Sequence, residues 1–206
     1  MKLFWSTRSP FVRKVMVVAH ETGLVGRIAS ERTIVAPTKP NPEVMVHNPL
    51  NKLPTLVLDD GSALYDSRVI AEYLDSLHDG PRLFPAAGRP RFEALRLQAL
   101  GDGILDFLLV GLSERARPAS QQSPELKAAL AEKFQAAFDR LDAEADAGTL
   151  SGSFGIGQIA VACALGYADF RYASEDWRKG RPKLAAFAES TASRPSMVAT
   201  AHADTY

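Results

Sequence analysis

Two hydroxyls, Thr7 and Ser9, lie in a short turn between an apolar stretch from Lys2 to Trp5 and a run of helical spacing that begins at Pro10. Ser9 directly precedes that proline, which suits a first helical position because the N–H it lacks would have no intrahelical partner there. A hydroxyl at such a place, with first-turn N–H groups around it, faces the partial positive charge of the helix and favours an anion. Capping and ligand binding are both open to Ser9 on this pattern, and Thr7 is its rival within the same turn.

A second helix start carries charge of both kinds. Asp66-Ser67 offers first-turn N–H groups and a hydroxyl to a carboxylate, while the Asp66 side chain can pair with an ammonium group; a plain N-cap is the simpler use of the same residues. Lys52, in the loop before Leu53-Pro54, is a flexible point charge that could meet another carboxylate, with His47 as a weaker candidate. Farther along, Asp102 and Asp106 fall at i and i+4, with Gln98, Ser113 and Arg117 at helical spacing. Paired carboxylates can exchange protons with a substrate, although such pairs more often face solvent or an interface. Phe107, Leu108 and Val110 could surround an apolar ligand or belong to the core, and Tyr167, Phe170 and Tyr172 are equally ambiguous. Arg115 and Arg117 fit either an acceptor site or a subunit interface.

The elements that must position these groups follow from periodicity. Residues 2–5 read as a strand, and residues 10–22 as a helix that Gly23 stops. Residues 27–35 look extended, and Pro37, Pro40 and Pro42 break the chain around a short helical stretch before Asn48-Pro49. Thr55 to Leu58 and Ser62 to Tyr65 form a hairpin about Asp59-Asp60-Gly61. Val69, Ile70, Tyr73, Leu74 and Leu77 then mark one face of a helix. The segment from His78 to Gly88, with two prolines and two glycines that interrupt all periodicity, reads as a linker, with the boundary near Pro81. Beyond it, residues 89–117 and 123–147 read as long helices, residues 155–170 as a buried central helix, and two shorter helices follow Pro182 and Pro195. The order β-α-β-α-β-β-α and then helices alone predicts an α/β domain at residues 1–78, a linker at 79–88 and an all-helical domain at 89–206.

Bulk composition narrows the function. Lys plus Arg number 24 and Asp plus Glu number 24, so no global field draws the chain to nucleic acid or membrane, and an anionic ligand must be held locally. Cys163 is the only cysteine, which excludes an internal disulfide, a CxxC redox pair and a thiolate zinc site, and no metal is expected. A reducing, cytoplasmic setting is the natural expectation, and neither an export signal nor a long apolar span is evident. Cys163 sits in an apolar helix as a small core residue.

Three ordered segments, Ser6-Thr7-Arg8-Ser9-Pro10-Phe11-Val12-Arg13-Lys14-Val15, Asn48-Pro49-Leu50-Asn51-Lys52-Leu53-Pro54-Thr55-Leu56 and Tyr65-Asp66-Ser67-Arg68-Val69-Ile70, resemble the bacterial glutathione transferases of cytosolic type. Leu83-Phe84-Pro85 and Ile159-Ala160-Val161-Ala162 extend the resemblance over essentially the whole chain. It implies a thioredoxin-like first domain, a helical second domain, glutathione as cosubstrate and a twofold homodimer. By the same resemblance Ser9 donates to the glutathione sulfur, Leu53 and a cis Pro54 present backbone to the cysteinyl unit, and Asp66 and Ser67 take the ammonium and carboxylate of the γ-glutamyl group. Phe11 and Lys52 complete the glutathione-binding set, and Asp102, Asp106, Phe107 and Val110 line the acceptor pocket for a small hydrophobic electrophile. Two positions depart from the family. Asp66 stands where Glu is commoner, and Gly155-Ile156-Gly157-Gln158 replaces a Ser or Thr cap followed by Asp at the central helix. The resemblance leaves conjugation, lyase, isomerase, dehalogenase or peroxidase chemistry and a non-catalytic binding role open; serine at position 9 disfavours disulfide exchange, which needs a thiol there.

Overall fold

The computed structural model describes residues 1–36 and 38–204. Pro37, one of the residues marking the broken stretch, lies outside them. The chain divides into two compact units. One comprises Met1–Arg91 with the described residues from Pro195 onward, and the other comprises Phe92–Arg194.

The first unit is built on a four-stranded mixed sheet in the order β2-β1-β3-β4. Strand β1 (Lys2–Trp5) runs parallel to β2 (Ala29–Arg32) and antiparallel to β3 (Thr55–Val57), which pairs with the short β4 (Ala63–Leu64). Leu3, Phe4, Thr55, Leu56 and Val57 are buried, so the two central strands form the floor of this core. Helix α1 (Pro10–Glu21) connects β1 to β2 and lays Val12, Val15, Val18 and Ala19 against the core. Its C-terminus is closed by Thr22 and by Gly23 at φ 71°, a left-handed conformation that only glycine adopts without steric cost. The extended stretch starts later than its residue types imply, because Val25–Arg27 forms a turn of 3-10 helix before β2. Helix α2 (Pro42–His47) is capped by Asn41, whose Oδ1 accepts the Glu43 and Val44 amides. Helix α3 (Ser67–Ser76) buries Ile70, Ala71 and Leu74 and packs on α1.

The residues between α3 and the next helix are held by one carboxylate. Asp75, buried on α3, accepts the amides of Leu83 at 2.8 Å and Phe84 at 3.1 Å, with His78 Nε2 at 3.1 Å. Arg82 donates to the Asp75 carbonyl. A buried carboxylate is tolerated only when its lone pairs are filled in this way.

Helix α4 (Gly88–Arg115) starts in the first unit and continues through the second, which also contains α5 (Pro124–Asp146), α6 (Ile156–Arg171) and α7 (Pro182–Ala192). Helix α8 (Pro195–Ala199) belongs to the first unit, so the division falls after Arg91 and the chain returns after Arg194, where a single boundary near Pro81 was expected. Helix α6 is buried nearly all round, as its apolar composition requires. It approaches α4 closely at Gly101, where an added Cβ would lie 2.7 Å from the Ala160 carbonyl carbon and oxygen. Phe134 and Phe138 stack at 4.2 Å, and Trp177 meets Phe138 at 5.6 Å. Polar ties complete the bundle. Buried Glu144 on α5 joins Arg96 of α4 at 2.8 Å and Arg140 at 2.7 Å, and Asp142 accepts the Leu184 amide at 2.8 Å at the start of α7. No helix of the described residues is long and apolar enough to cross a membrane.

Candidate functional site

Sheet topology places the chemistry-bearing segments of the first unit together. Strand β1 ends toward Ser9, and because β3 is antiparallel to it, Pro54 at the start of β3 lies at the same end of the sheet. Strand β4 is antiparallel to β3, so its exit toward Asp66 lies there too. Neighbouring strands are spaced by about 4.8 Å, and two such steps match the roughly 10 Å length of an extended tripeptide. Ser9, Leu53-Pro54 and Asp66-Ser67 therefore share one edge of the sheet in that order.

Ser9 is the N-cap of α1. Its Oγ accepts the Val12 amide at 3.3 Å, and its carbonyl accepts the Arg13 amide at 3.0 Å. A hydroxyl has one hydrogen and two lone pairs, so this cap leaves the O–H free to donate elsewhere. Within the same turn the Ser9 amide donates to the Ser6 carbonyl at 3.2 Å and the Arg8 amide to Ser6 Oγ at 3.3 Å. Thr7 differs from Ser9: its hydroxyl is closed off from solvent and, among the described residues, makes no hydrogen bond. Phe11, half-buried on the first turn, has the Lys14 ammonium 5.8 Å from its ring centre.

The Leu53-Pro54 peptide is cis, and so is Tyr65-Asp66. The loop before Pro54 is organised by Asn48, a buried side chain whose Nδ2 donates to Thr55 Oγ1 at 2.9 Å and to the Lys52 carbonyl at 3.3 Å. Its Oδ1 accepts the Leu50 amide at 3.0 Å, and Thr55 Oγ1 donates to the Lys52 carbonyl at 2.9 Å. The Lys52 side chain remains exposed. His47 packs against the Phe4 ring at 5.7 Å. Asp66 caps α3, accepting the Arg68 amide through Oδ1 at 2.9 Å, and is exposed, whereas Ser67 is buried.

In the second unit Asp102 is buried and Asp106 exposed, so the two carboxylates occupy different environments despite their i, i+4 spacing. Phe107 is half-buried and Val110 exposed, while Leu108 and Tyr167 are core. Tyr172 donates to the Leu108 carbonyl at 2.6 Å, and burial raises its phenol above the ordinary value. The arginine pair is engaged locally. Arg115 lies 4.0 Å above the Tyr172 ring and 2.8 Å from Glu175, and Arg117 is 3.3 Å from Glu114. Gly155 caps α6 without a side-chain bond, and Cys163 is fully buried. Among the described residues no cluster of three metal-ligating side chains occurs.

Asn48, which orders the loop before Pro54, and Asp75, which holds the segment after α3, carry no sequence signal of those roles. Asn48-Pro49 reads as a turn and Asp75 as one polar residue of an amphipathic helix, and only their burial distinguishes them.

Comparison with known proteins agrees with this fold. Residues 8–77 match the glutathione S-transferase N-terminal domain family and residues 124–190 the C-terminal domain family. The chain is 36% identical over 201 residues, 97% of its own length and 98% of the relative's, to an uncharacterized GST-like protein, YibF, of Escherichia coli strain K12. A glutathione transferase family member from Pseudomonas fluorescens Pf-5 is 43% identical; its crystal structure with bound glutathione superposes with a TM-score of 0.95 over 98% of each chain. The structure of that family member with S-(propanoic acid)-glutathione gives a TM-score of 0.89 over 97% of this chain and 98% of the other. A glutathione S-transferase from Methylobacillus flagellatus KT, with GSH bound, is 36% identical with a TM-score of 0.88, covering 98% of this chain and 99% of the other. With both domain families matched in order and a full-length relative of this similarity, the chain belongs to the glutathione S-transferase family.

Proposed function

We propose that the protein binds glutathione at the sheet edge formed by Ser9, Leu53-Pro54 and Asp66-Ser67 and conjugates its thiolate to small hydrophobic electrophiles. The observation that carries this reading is the Ser9 hydroxyl, which caps α1 through a lone pair and keeps its hydrogen for a sulfur at the helix N-terminus. A thiol with pKa of about 8.5 is mostly protonated at neutral pH, and each unit of depression multiplies its thiolate population nearly tenfold at first. Asp66 takes the ligand ammonium and Ser67 with the first-turn amides its carboxylate; Phe11 and Lys52 flank the peptide. Bound glutathione in two relatives supports the cosubstrate, and bound S-(propanoic acid)-glutathione in one supports a site that tolerates a carbon substituent on sulfur. Asp102, Asp106, Phe107 and Val110 are assigned to the acceptor side.

The sealed Thr7 hydroxyl favours Ser9 as the sulfur's partner. The domain assignment of residues 1–78 to glutathione and 89–206 to the acceptor belongs to the same reading, as does a cytoplasmic setting, which the single cysteine supports. So does a homodimer. The first unit leaves Met45, Val46, Leu50 and Val69 exposed, an apolar surface suited to a second copy; sedimentation velocity of Leu50→Glu should then show a shift toward monomer.

Calorimetric titration of wild type and Ser9→Ala with glutathione, with the bound thiol's pKa from ultraviolet thiolate absorbance, tests the central reading. Binding by both with a depressed pKa in wild type alone supports it. Absence of binding by wild type overturns it.

A further inference from the structure

Within the first unit, the C-terminal stretch that begins at α8 lies on the turn that carries Ser9. Ser196 Oγ meets Glu21 Oε1 at 2.5 Å, and Arg13 donates to the Met197 carbonyl at 3.2 Å. His202 Nδ1 is 2.9 Å from the Thr7 carbonyl oxygen. A carbonyl can only accept, so Nδ1 carries the hydrogen. Arg8 meets Asp204 twice, through its carboxylate at 3.2 Å and its carbonyl at 2.9 Å. These contacts fall on residues 7, 8, 13 and 21, three of them immediately before Ser9 or one helical turn after it and the fourth at the end of α1.

The contacts are unequal. Arg8 and Asp204 are about half exposed, 47% and 53%, and an exposed ion pair is screened and contributes little. The His202 bond is partly buried, and it grips backbone two residues from the Ser9 Cα. The Ser9 and Arg8 amides tie the turn to Ser6 within it, and the Ser9 hydroxyl and carbonyl join it to the Val12 and Arg13 amides of α1, so His202 adds a restraint from a segment distant in sequence.

We infer that His202 is a positioning residue for the Ser9 hydroxyl: by holding the Thr7 carbonyl it fixes the turn, and so sets how strongly the site favours a bound thiolate. This rests on the glutathione reading above. Hydrogen bonds to a developing charge depend on donors held in place beforehand, and here a residue from the far end of the chain supplies that restraint. The Asp66-Ser67 end of the site, on a different element, does not depend on it.

The test uses the full-length protein as wild type, His202→Ala, His202→Asn and Asp204→Ala. Amide hydrogen exchange of the segment around Ser9 is measured without ligand, and the bound thiol's pKa with glutathione. His202→Ala should exchange faster at that segment with α3 unchanged, and should raise the bound thiol's pKa by about half a unit, lowering the thiolate fraction about threefold where the thiol is mostly protonated. Glutathione affinity at about pH 5, where the thiol is protonated in every variant, should change less than about twofold. Asparagine places an N–H where Nδ1 stood, so His202→Asn should restore both readouts, and Asp204→Ala should stay near wild type. Wild-type exchange and wild-type thiol pKa in His202→Ala would overturn the inference, as would equal impairment in the alanine and asparagine variants. If wild type binds no glutathione, the transferase reading fails, while the exchange comparison still decides whether His202 holds the turn.

Discussion

Ser9 Oγ accepts the Val12 amide at 3.3 Å, making one hydroxyl both the cap of α1 and the donor available to a ligand. Replacing it separates the two roles. Ser9→Ala should cost about 1 kcal/mol of stability through the lost cap. Its turnover should fall roughly 10- to 100-fold, the equivalent of one hydrogen bond to a charged group. Urea denaturation and steady-state kinetics with a chromogenic electrophile measure the two effects; an unchanged turnover would remove Ser9 from the chemistry.

Asp66 offers a cleaner separation. Asparagine caps helices as well as aspartate does, so Asp66→Asn should keep the bond to the Arg68 amide and the stability of α3. Without the carboxylate charge, the proposed pairing with the ligand ammonium should weaken, and glutathione affinity should drop about tenfold, in line with a charge-assisted bond. Calorimetry is the measurement. Equal affinity would mean that the ammonium is held elsewhere.

Asp75 is expected to dominate the stability of the linker. Its carboxylate serves the Leu83 and Phe84 amides from a buried position, so Asp75→Ala leaves two buried donors unmet. A loss of about 3 kcal/mol is expected from denaturant midpoints. A change below about 0.5 kcal/mol would place those amides in contact with water.

Glu144 makes the stability of the helical unit depend on acid. Burial alone would raise its carboxyl, but hydrogen bonds from Arg96 and Arg140, with their charges, together hold it below the ordinary value of 4.5. A depressed carboxylate adds stability above its unfolded pKa and loses it as pH falls through the lower folded value. Glu144→Gln should therefore be less stable than wild type at pH 7, with the gap closing on acidification below about pH 4. Urea midpoints across that range are the check; a gap that does not vary with pH would assign the effect to shape alone.

Much of this protein was legible in its residue order. Ser9-Pro10, Asp66-Ser67 and Ser123-Pro124 announce helix starts because capping is local chemistry, satisfied within three residues. Apolar periodicity located α1, α3, α5 and the all-round buried α6, and Asp59-Asp60-Gly61 marked the hairpin through its turn residues alone. Ser9, Asp66 and Ser67 stood out because they lie at such helix starts, whereas Phe11, Leu53 and Pro54 entered as candidates through the family resemblance and Lys52 as a charge in the loop before Leu53-Pro54. Tertiary structure decided what depends on contact across long separations. The spacing of Asp102 and Asp106 put them on one helix face, yet one is buried and the other exposed, since burial depends on what packs against the helix. Asn48 and Asp75 became organisers of loops only through burial that forces every lone pair to find a donor. The bond from His202 to Thr7 spans 195 residues, and no local pattern encodes it, because the restraint exists only once the folded chain brings its end back to the turn beside Ser9.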